Sequence, residues 1–206
     1  LDAALVASVD HGPQAPSIAA SRMAITCGVG INNAIASGVN MLGDVHGGAG
    51  EQALELYQDI LGNRSDRSLD DAIDQSLDAL AAKAIKFVPG FGHRFHKPED
   101  PRAQPLMELL RSCSQDDRSI DSRFADVAEG IQDAIERRKR KRIAMNIDGA
   151  TAAIYGALGV PATLARGLFC LARSVGLAAH AHEQSLSNER NKGPTPPDYR
   201  WTYDPH

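Results

Sequence analysis

Four short segments place a titratable side chain beside glycine, at points where helical patterns begin or end. They are residues 10–13 with His11, 43–48 with His46, 89–93 with His93, and 145–149 with Asp148. Glycine permits tight turns and a close approach of the backbone to a ligand. Carboxylates and imidazoles are the groups that move protons near neutral pH. The segments are therefore candidates for an acid–base site.

The elements that must position these residues are helices. Apolar residues recur every three or four positions over 68–87, 124–142 and 161–184, and helices are also predicted over 20–38 and 149–158. Ser68 followed by Asp71 resembles a capping box, and Pro161 suits the first turn of a helix. Strict alternation of apolar and polar residues is nearly absent, so we predict an all-α fold.

Composition bounds the class of protein. The 206 residues are 43% apolar and 23% charged, which excludes a disordered or fibrous chain. A net charge of −4 disfavours a nucleic-acid partner. The three cysteines are far apart, which favours a reducing compartment, and we expect a cytoplasmic protein. No apolar run approaches the ~20 residues that span a bilayer, so no membrane partner is expected. The chain starts at Leu1 without methionine, so upstream residues are expected to be absent.

The segments together resemble the citrate synthase superfamily, which includes citryl-CoA lyases and the lyase module of ATP-citrate lyase. The similar stretches are residues 10–12, 43–49, 89–102, 146–148 and 171–184, in family order over nearly the whole chain. The resemblance implies a citrate synthase-like fold, with a large helical domain, a smaller inserted helical domain and the active site in the cleft between them. We expect the large domain at 1–48 and 159–206 and the small one at 49–158.

The resemblance implies three catalytic residues, His46, His93 and Asp148. A carbon–carbon bond next to a thioester is made or broken through an enolate-like intermediate, whose oxygen needs a fixed hydrogen-bond donor. Asp148 is the candidate base and His46 the candidate donor to the enol oxygen. His93 would handle the proton on the ketone or alcohol oxygen.

The resemblance also implies binding residues. Arginine suits the planar, two-point recognition of carboxylates. The candidates for the di- or tricarboxylate are His11, Arg94, Arg102, Arg173 and Arg190. The candidates for coenzyme A are Val88, Gly90, Phe91, Gly92, Lys141 and Asn146. Coenzyme A would be a co-substrate, and neither a tightly bound cofactor nor a metal is expected.

Each residue has a plainer interpretation. Asp148 could cap the helix that starts near Gly149. Arg173 could be an ordinary surface residue, and Arg190 could belong to a mobile linker. His180 and His182 look like a metal pair, but residues two apart on a helix face different ways, so His180 is better interpreted as a packed or supporting residue. The basic run 137–142 is more typical of a solvated helix end.

The favoured function is a citryl-CoA lyase-like reaction, in which citryl-CoA gives acetyl-CoA and oxaloacetate. Asp44, Arg94 and Gly149 resemble the lyases, whereas His46 resembles the synthases. Citrate synthase or 2-methylcitrate synthase is the alternative. A non-catalytic helical protein that binds coenzyme A is the alternative of another class. The resemblance further implies a homodimer in which Arg190 is donated to the neighbouring active site.

Overall fold

The structure, a computed structural model, describes residues 1–93, 96, 98–196 and 198–199. In this part of the chain the regular elements are helices, and β pairing is limited to isolated bridges. The all-α prediction is confirmed. The helices are α1 (Asp2–Ala7), α2 (Pro16–Thr26), α3 (Ile31–Val39), α4 (Ala49–Gly62), α5 (Leu69–Ala82), α6 (Ala103–Asp116), α7 (Arg123–Lys139), α8 (Ile147–Ala157) and α9 (Ala162–Leu186).

The chain divides into two compact units. The first comprises Leu1–Ser8 and Gly43–Ala172, and the second comprises Val9–Leu42 and Arg173–His206. These bounds are not those of the two domains expected from the sequence. The domain boundaries after residues 48 and 158, and the cleft between those domains, stay predictions.

The centre of the first unit is α8, which packs against α4, α6 and α7. Nearly all of its side chains are buried, because it is built from alanine, glycine and a few larger apolar residues. A Cβ on Gly156 would lie 2.2 Å from Cδ1 of Phe124, so this glycine makes room for the ring from α7. Small residues therefore let the neighbouring helices approach the helix that starts at the candidate catalytic aspartate.

In the second unit, α2 and α3 pack together. Their small core contains Ala15, Ile18 and Leu177, with Ile35 and Val39 against it. A Cβ on Gly38 would meet Cδ2 of Leu177 at 2.4 Å, so α3 lies directly on this part of α9.

Several of the predicted helix bounds are corrected. The helix expected over 20–38 is two helices, because α2 ends at Thr26 and Gly28 has a φ of +85° that a continuing helix cannot contain. The helix expected over 68–87 ends at Ala82, and Ala84 is left-handed with a φ of 57°. The start was right: the Ser68 hydroxyl accepts a hydrogen bond from the Asp71 amide at 3.1 Å.

The basic end of α7 contacts acidic residues of α5. The Arg138 guanidinium donates to Asp74 Oδ1 at 2.9 Å and to Asp78 Oδ1 at 2.7 Å. The helix ends at Lys139 rather than at residue 142, since Arg140 is left-handed with a φ of 48°. Part of the basic run is therefore used in joining α7 to α5.

Among the described residues, one helix, α9, is long enough and apolar enough to cross a membrane, judged by length and composition only. A core helix of a soluble protein passes the same test, so this is weak evidence. Arg166 and Arg173 interrupt its apolar sequence. The interruption explains why no apolar run of that length was found in the sequence.

Candidate active site

Asp148 lies in the first turn of α8, where the free amides of the helix begin. The N-cap is Asn146, whose Oδ1 accepts from the amides of Asp148 at 2.9 Å and Gly149 at 3.2 Å. The interpretation of Asp148 as the cap is therefore wrong. Asp148 thus lies at the positive end of the helix dipole.

Asp148 is half-buried between two buried residues, Ile147 and Gly149. A Cβ on Gly50, in the first turn of α4, would lie 3.7 Å from Asp148 Oδ1. Burial and the charge of Asp148 raise the pKa of Tyr155 to about 12 and raise the pKa of the fully buried Tyr57 still further. Tyr57 donates its hydroxyl to the Gly149 carbonyl at 3.3 Å. Tyr57 thus places a protonated phenol at the start of α8, and Tyr155 lies further along the same helix.

The loop predicted to bind coenzyme A is joined to the start of α8 by hydrogen bonds. The Asn146 amide donates to the Gly90 carbonyl at 3.0 Å, and its side-chain Nδ2 donates to the Gly92 carbonyl at 2.6 Å. The Gly92 amide donates to the Ala144 carbonyl at 2.8 Å. A Cβ on Gly149 would lie 2.5 Å from the Gly90 oxygen, so only glycine permits this approach. Asn146 and Gly90 therefore hold the loop in place.

A cavity of about 1010 Å³ opens beside this loop. A volume of this size suits an organic ligand. Four of the residues predicted for coenzyme A line it, as do His93, Asp100 and basic side chains at and just after the end of α7. The lining includes Val88, Phe91, Gly92, His93, Asp100, Lys139, Lys141 and Arg142. Four of the six predicted contacts thus fall on one cavity with an apolar wall and positive charge, whereas Gly90 and Asn146 do not line it.

His93 is held by the backbone three residues further on. The His96 amide donates to His93 Nδ1 at 2.8 Å, so the neutral ring carries its proton on Nε2. Burial, the neighbouring His96 and Arg102 lower the pKa of His93, and the Asp100 carboxylate partly opposes them. The neutral imidazole is therefore favoured, with Nε2–H as a hydrogen-bond donor.

Arg102 is paired with Asp100, whose side chain is fully buried. Arg102 donates from Nε to Oδ1 at 2.9 Å and from Nη2 to Oδ2 at 2.8 Å. The Ile147 amide, next to Asp148, donates to Asp100 Oδ2 at 3.0 Å. Burial opposes ionisation, but these hydrogen bonds lower the pKa of Asp100 to about 2. A guanidinium has five N–H donors, so the pair leaves Arg102 donors for a carboxylate.

His46 is half-buried and lies in a tight turn before α4. Its carbonyl accepts from the Gly43 amide at 2.8 Å. Arg166 of α9 binds Asp44 of this turn at 2.6 Å and Glu51 of α4 at 2.5 Å. The turn is thus fixed by Arg166, and the helix that follows it, α4, packs against α8, whose first turn carries Asp148.

The predicted residues of the second unit are described separately. Arg173 on α9 is only 4% exposed, so its interpretation as a surface residue is wrong. His11 is half-buried, whereas Arg190 is exposed. The segment after Arg190 is tied to α2, since the Asn191 amide donates to the Thr26 carbonyl at 2.9 Å. Arg94 lies outside the described residues.

No group of three or more metal-ligating residues is arranged to hold a metal ion in the described part of the chain. His180 instead contacts Arg22 Nη1 at 3.3 Å and Asp10 Oδ1 at 3.1 Å, and His182 is exposed. The sequence interpretation had given no role to Asp100, Tyr57 or Arg166. Only Asp100 had a local signal, because an aspartate that binds the backbone two residues on is a common turn.

Comparison with known proteins places these residues in one family. The family described as citrate synthase, C-terminal domain, matches residues 1–195. Citrate synthase of Haloferax volcanii is 29% identical over 188 residues, which cover 91% of this chain and 46% of that protein. The chain thus spans about half the length of this curated relative.

Solved structures show the same fold. Citryl-CoA lyase from Hydrogenobacter thermophilus has a TM-score of 0.82 at 33% identity, covering 100% of this chain and 76% of that one. Citrate synthase from Thermoplasma acidophilum, solved with carboxymethyl coenzyme A and oxaloacetate, has a TM-score of 0.77 at 24% identity, covering 98% and 52%. With the match over residues 1–195, the chain belongs to the citrate synthase family of enzymes.

Proposed function

We propose that the chain catalyses a citryl-CoA lyase-like reaction, in which citryl-CoA is cleaved to acetyl-CoA and oxaloacetate. The observation that carries this proposal is the junction at the start of α8. There, Asp148 follows a cap that also binds the loop beside the cavity of about 1010 Å³. Asp148 does not itself line this cavity, but its helix cap is bonded to the loop that does, and the cavity contains an imidazole donor and positive charge.

The three catalytic side chains have separate roles. His93 accepts the proton of the citryl hydroxyl, the carbon–carbon bond breaks, and its electron pair becomes the enolate of acetyl-CoA. His46 donates a hydrogen bond to the enolate oxygen. Asp148, as the acid, returns a proton to the carbon and leaves a methyl group. The products are acetyl-CoA and oxaloacetate, and the steps reverse for carbon–carbon bond formation.

The tautomer of His93 corresponds to one state of this reaction. With Nδ1 bonded to the His96 amide, Nε2–H donates, which suits the ketone oxygen of oxaloacetate. The complex with oxaloacetate is the product state of cleavage and the substrate state of synthesis. In the citryl-CoA complex Nε2 has to be unprotonated to accept the hydroxyl proton, so the ring proton has to lie on Nδ1, which then cannot accept from the His96 amide. Cleavage leaves His93 as the imidazolium, which returns to the neutral Nε2–H form when Nδ1 loses its proton to solvent.

The acid substrate is proposed to be held by cations and a histidine. Arg102 and Arg173 bind its carboxylates, and His11 donates to its keto or hydroxyl oxygen. Arg94 has the same proposed role. Arg190 is proposed to act in the active site of a second copy, which makes the active form a homodimer. Coenzyme A is the acyl carrier, with Lys141 close to its phosphates.

Citrate synthase is the second candidate function. It is favoured by the similarity to the Haloferax volcanii enzyme and uses the same three residues in the direction of bond formation. Propionyl-CoA would give 2-methylcitrate, and one methylene changes the binding free energy by only ~1–3 kcal/mol. The non-catalytic alternative predicts binding of coenzyme A without turnover.

The test is a substrate panel in both directions, with products separated by chromatography. We expect citryl-CoA to give acetyl-CoA and oxaloacetate. Condensation of acetyl-CoA with oxaloacetate that releases free coenzyme A faster than citryl-CoA is cleaved would favour the synthase, and the same assay with propionyl-CoA identifies a methylcitrate enzyme. Coenzyme A binding with no turnover in either direction would refute both enzymatic proposals.

A further inference from the structure

A chain of polar contacts in the second unit joins α2, α9 and the turn that carries His11. The Arg22 guanidinium of α2 contacts His180 Nδ1 at 3.3 Å, and His180 Nε2 contacts Asp10 Oδ1 at 3.1 Å. The His180 side chain is 16% exposed. The Asp10 carboxylate also accepts hydrogen bonds from the backbone amides of Gly12 and His11.

The partners of His180 fix which nitrogen carries the proton. A guanidinium nitrogen only donates, so its contact with Nδ1 requires an unprotonated Nδ1. In the neutral ring the proton is then on Nε2, which donates to Asp10. Glu183 is the other charged group nearby, with Oε2 at 3.8 Å from Nδ1 and in an ion pair with Arg22. His180 thus connects a cation on one side to a carboxylate on the other.

The backbone just before Asp10 is held closely by the face of α9 that carries His180. A Cβ on Gly176 would lie 2.2 Å from the Val9 carbonyl oxygen, so α9 touches this backbone directly. Residues four apart on a helix lie on one face, so Gly176 and His180 face the turn together. Gly12 has a φ of +82°, which completes the turn after His11. The direction of the His11 backbone therefore depends on the orientation of the Asp10 carboxylate.

We propose that His180 is a positioning residue, which orients Asp10 and thereby the turn that presents His11 to the acid substrate. The proposal rests on the proposed role of His11 in binding that substrate. It assigns no contact between His180 and substrate. The effect of removing His180 should therefore fall on the binding of the acid, and only through His11.

The variants are His180→Ala, His180→Gln and His11→Ala, with His182→Ala as the matched control on the same helix. In the condensation assay, His180→Ala should raise the KM for oxaloacetate about tenfold, the cost of one misplaced hydrogen bond. The KM for acetyl-CoA should stay constant and kcat should change by less than about threefold. His180→Gln should recover most of the loss, because its amide nitrogen can donate to Asp10 from near the Nε2 position.

The double variant of His11→Ala with His180→Ala separates the two proposals. If His180 acts through His11, the second substitution adds nothing to the first. An unchanged KM for oxaloacetate in His11→Ala would refute the role of His11. If His11→Ala raises the KM but His180→Ala behaves like His182→Ala, the positioning role of His180 is overturned and the role of His11 stands. Equal losses in His180→Ala and His180→Gln would also overturn the positioning role.

A measurement that needs no turnover completes the test. In protein labelled at its histidines, the imidazole signal of His11 is identified by its loss in His11→Ala. His180→Ala should shift that signal, and His182→Ala should leave it in place. An unmoved His11 signal in His180→Ala would contradict the proposal even if the chain has no activity with these substrates.

Discussion

Asp100 and Asp121 each lie two residues before an arginine and bind it with the same set of hydrogen bonds. Asp121 accepts from the backbone amide of Arg123 at 3.1 Å and from its Nε at 2.9 Å, as Asp100 does from Arg102. They differ in burial, since the Asp100 side chain is fully buried and the Asp121 side chain is 29% exposed. The Asp100 carboxylate also accepts from the Ile147 amide at the start of α8, whereas Asp121 reaches the end of α8 through its backbone amide, which donates to the Ala157 carbonyl at 3.0 Å.

Asp100→Asn should destabilise the protein by about 2 kcal/mol at pH 7, because the pKa of Asp100 is lowered from 3.8 to about 2 in the folded state. A lowered carboxyl pKa gives stability that is present above the unfolded pKa and is lost as the pH falls through the folded one. The difference between Asp100→Asn and the parent chain should therefore be roughly halved at pH 3. Urea unfolding at both pH values measures it.

Asp121→Asn is the matched control for this prediction. Its exposed pair is screened by solvent, so it should cost less than about 1 kcal/mol. Equal costs for the two variants would contradict the role of the buried pair. A difference that does not shrink between pH 7 and pH 3 would contradict its electrostatic origin.

The hydrogen bonds between each aspartate and its nearby arginine could be predicted from sequence. The hydrogen bonds to residues far along the chain could not. The Asp-x-Arg spacing at 100–102 and 121–123 permits the same turn in both places. The spacing does not indicate that the amide of Ile147, which is far along the chain, donates to Asp100 and not to Asp121. The same holds for Tyr57, which reaches the Gly149 carbonyl from α4.

At the scale of elements, the Gly90 and Gly149 contact sets how closely the loop approaches α8. A Cβ on Gly149 would meet the Gly90 oxygen at 2.5 Å and Cγ of Met145 at 2.7 Å, so one of them has to move. We predict that Gly149→Ala costs ~1–3 kcal/mol of stability and raises the KM for acyl-CoA, because the displaced loop lines the cavity. Chemical unfolding and steady-state kinetics measure the two effects.

Gly167→Ala in α9 is the control, since its new Cβ would lie 3.6 Å from Leu164 Cδ1, an ordinary contact. It should leave the KM unchanged and stabilise the helix by up to ~1 kcal/mol. A Gly149→Ala protein with the same stability and KM as Gly167→Ala would show that the loop does not depend on this contact.

Helix existence was predictable from the apolar periodicity, whereas several ends were not. Ser68 capped its helix as the pattern indicated. The start of α8 was placed near Gly149, but Asn146 caps it two residues before Asp148. Apolar spacing continues through 20–38, and only the left-handed Gly28 breaks it. Such breaks depend on backbone angles that glycine permits but does not require.

At the scale of the whole molecule, the proposed homodimer can be tested by complementation. Asp148→Asn and Arg190→Ala should each be inactive. If Arg190 acts in the neighbouring subunit, a mixed dimer contains one intact site. Mixing equal amounts with subunit exchange should then restore about a quarter of the parent activity.

If Arg190 acts within its own subunit, the mixture should stay inactive. Each single variant, taken alone through the same subunit-exchange procedure, provides the baseline activity. The oligomeric state, measured by light scattering, should be the same for both variants and the parent chain. A monomer with full activity would contradict the homodimer.

The central claim is that Asp148 transfers the proton to and from the methyl carbon next to the thioester carbonyl. The most direct measurement is the kcat of Asp148→Asn, in citryl-CoA cleavage and in condensation, on protein with an unchanged circular dichroism spectrum. We predict a loss of about 100-fold or more in both directions, with little change in KM, because an amide at this position can neither accept nor return the proton. Turnover within threefold of the parent chain in either direction would contradict the account.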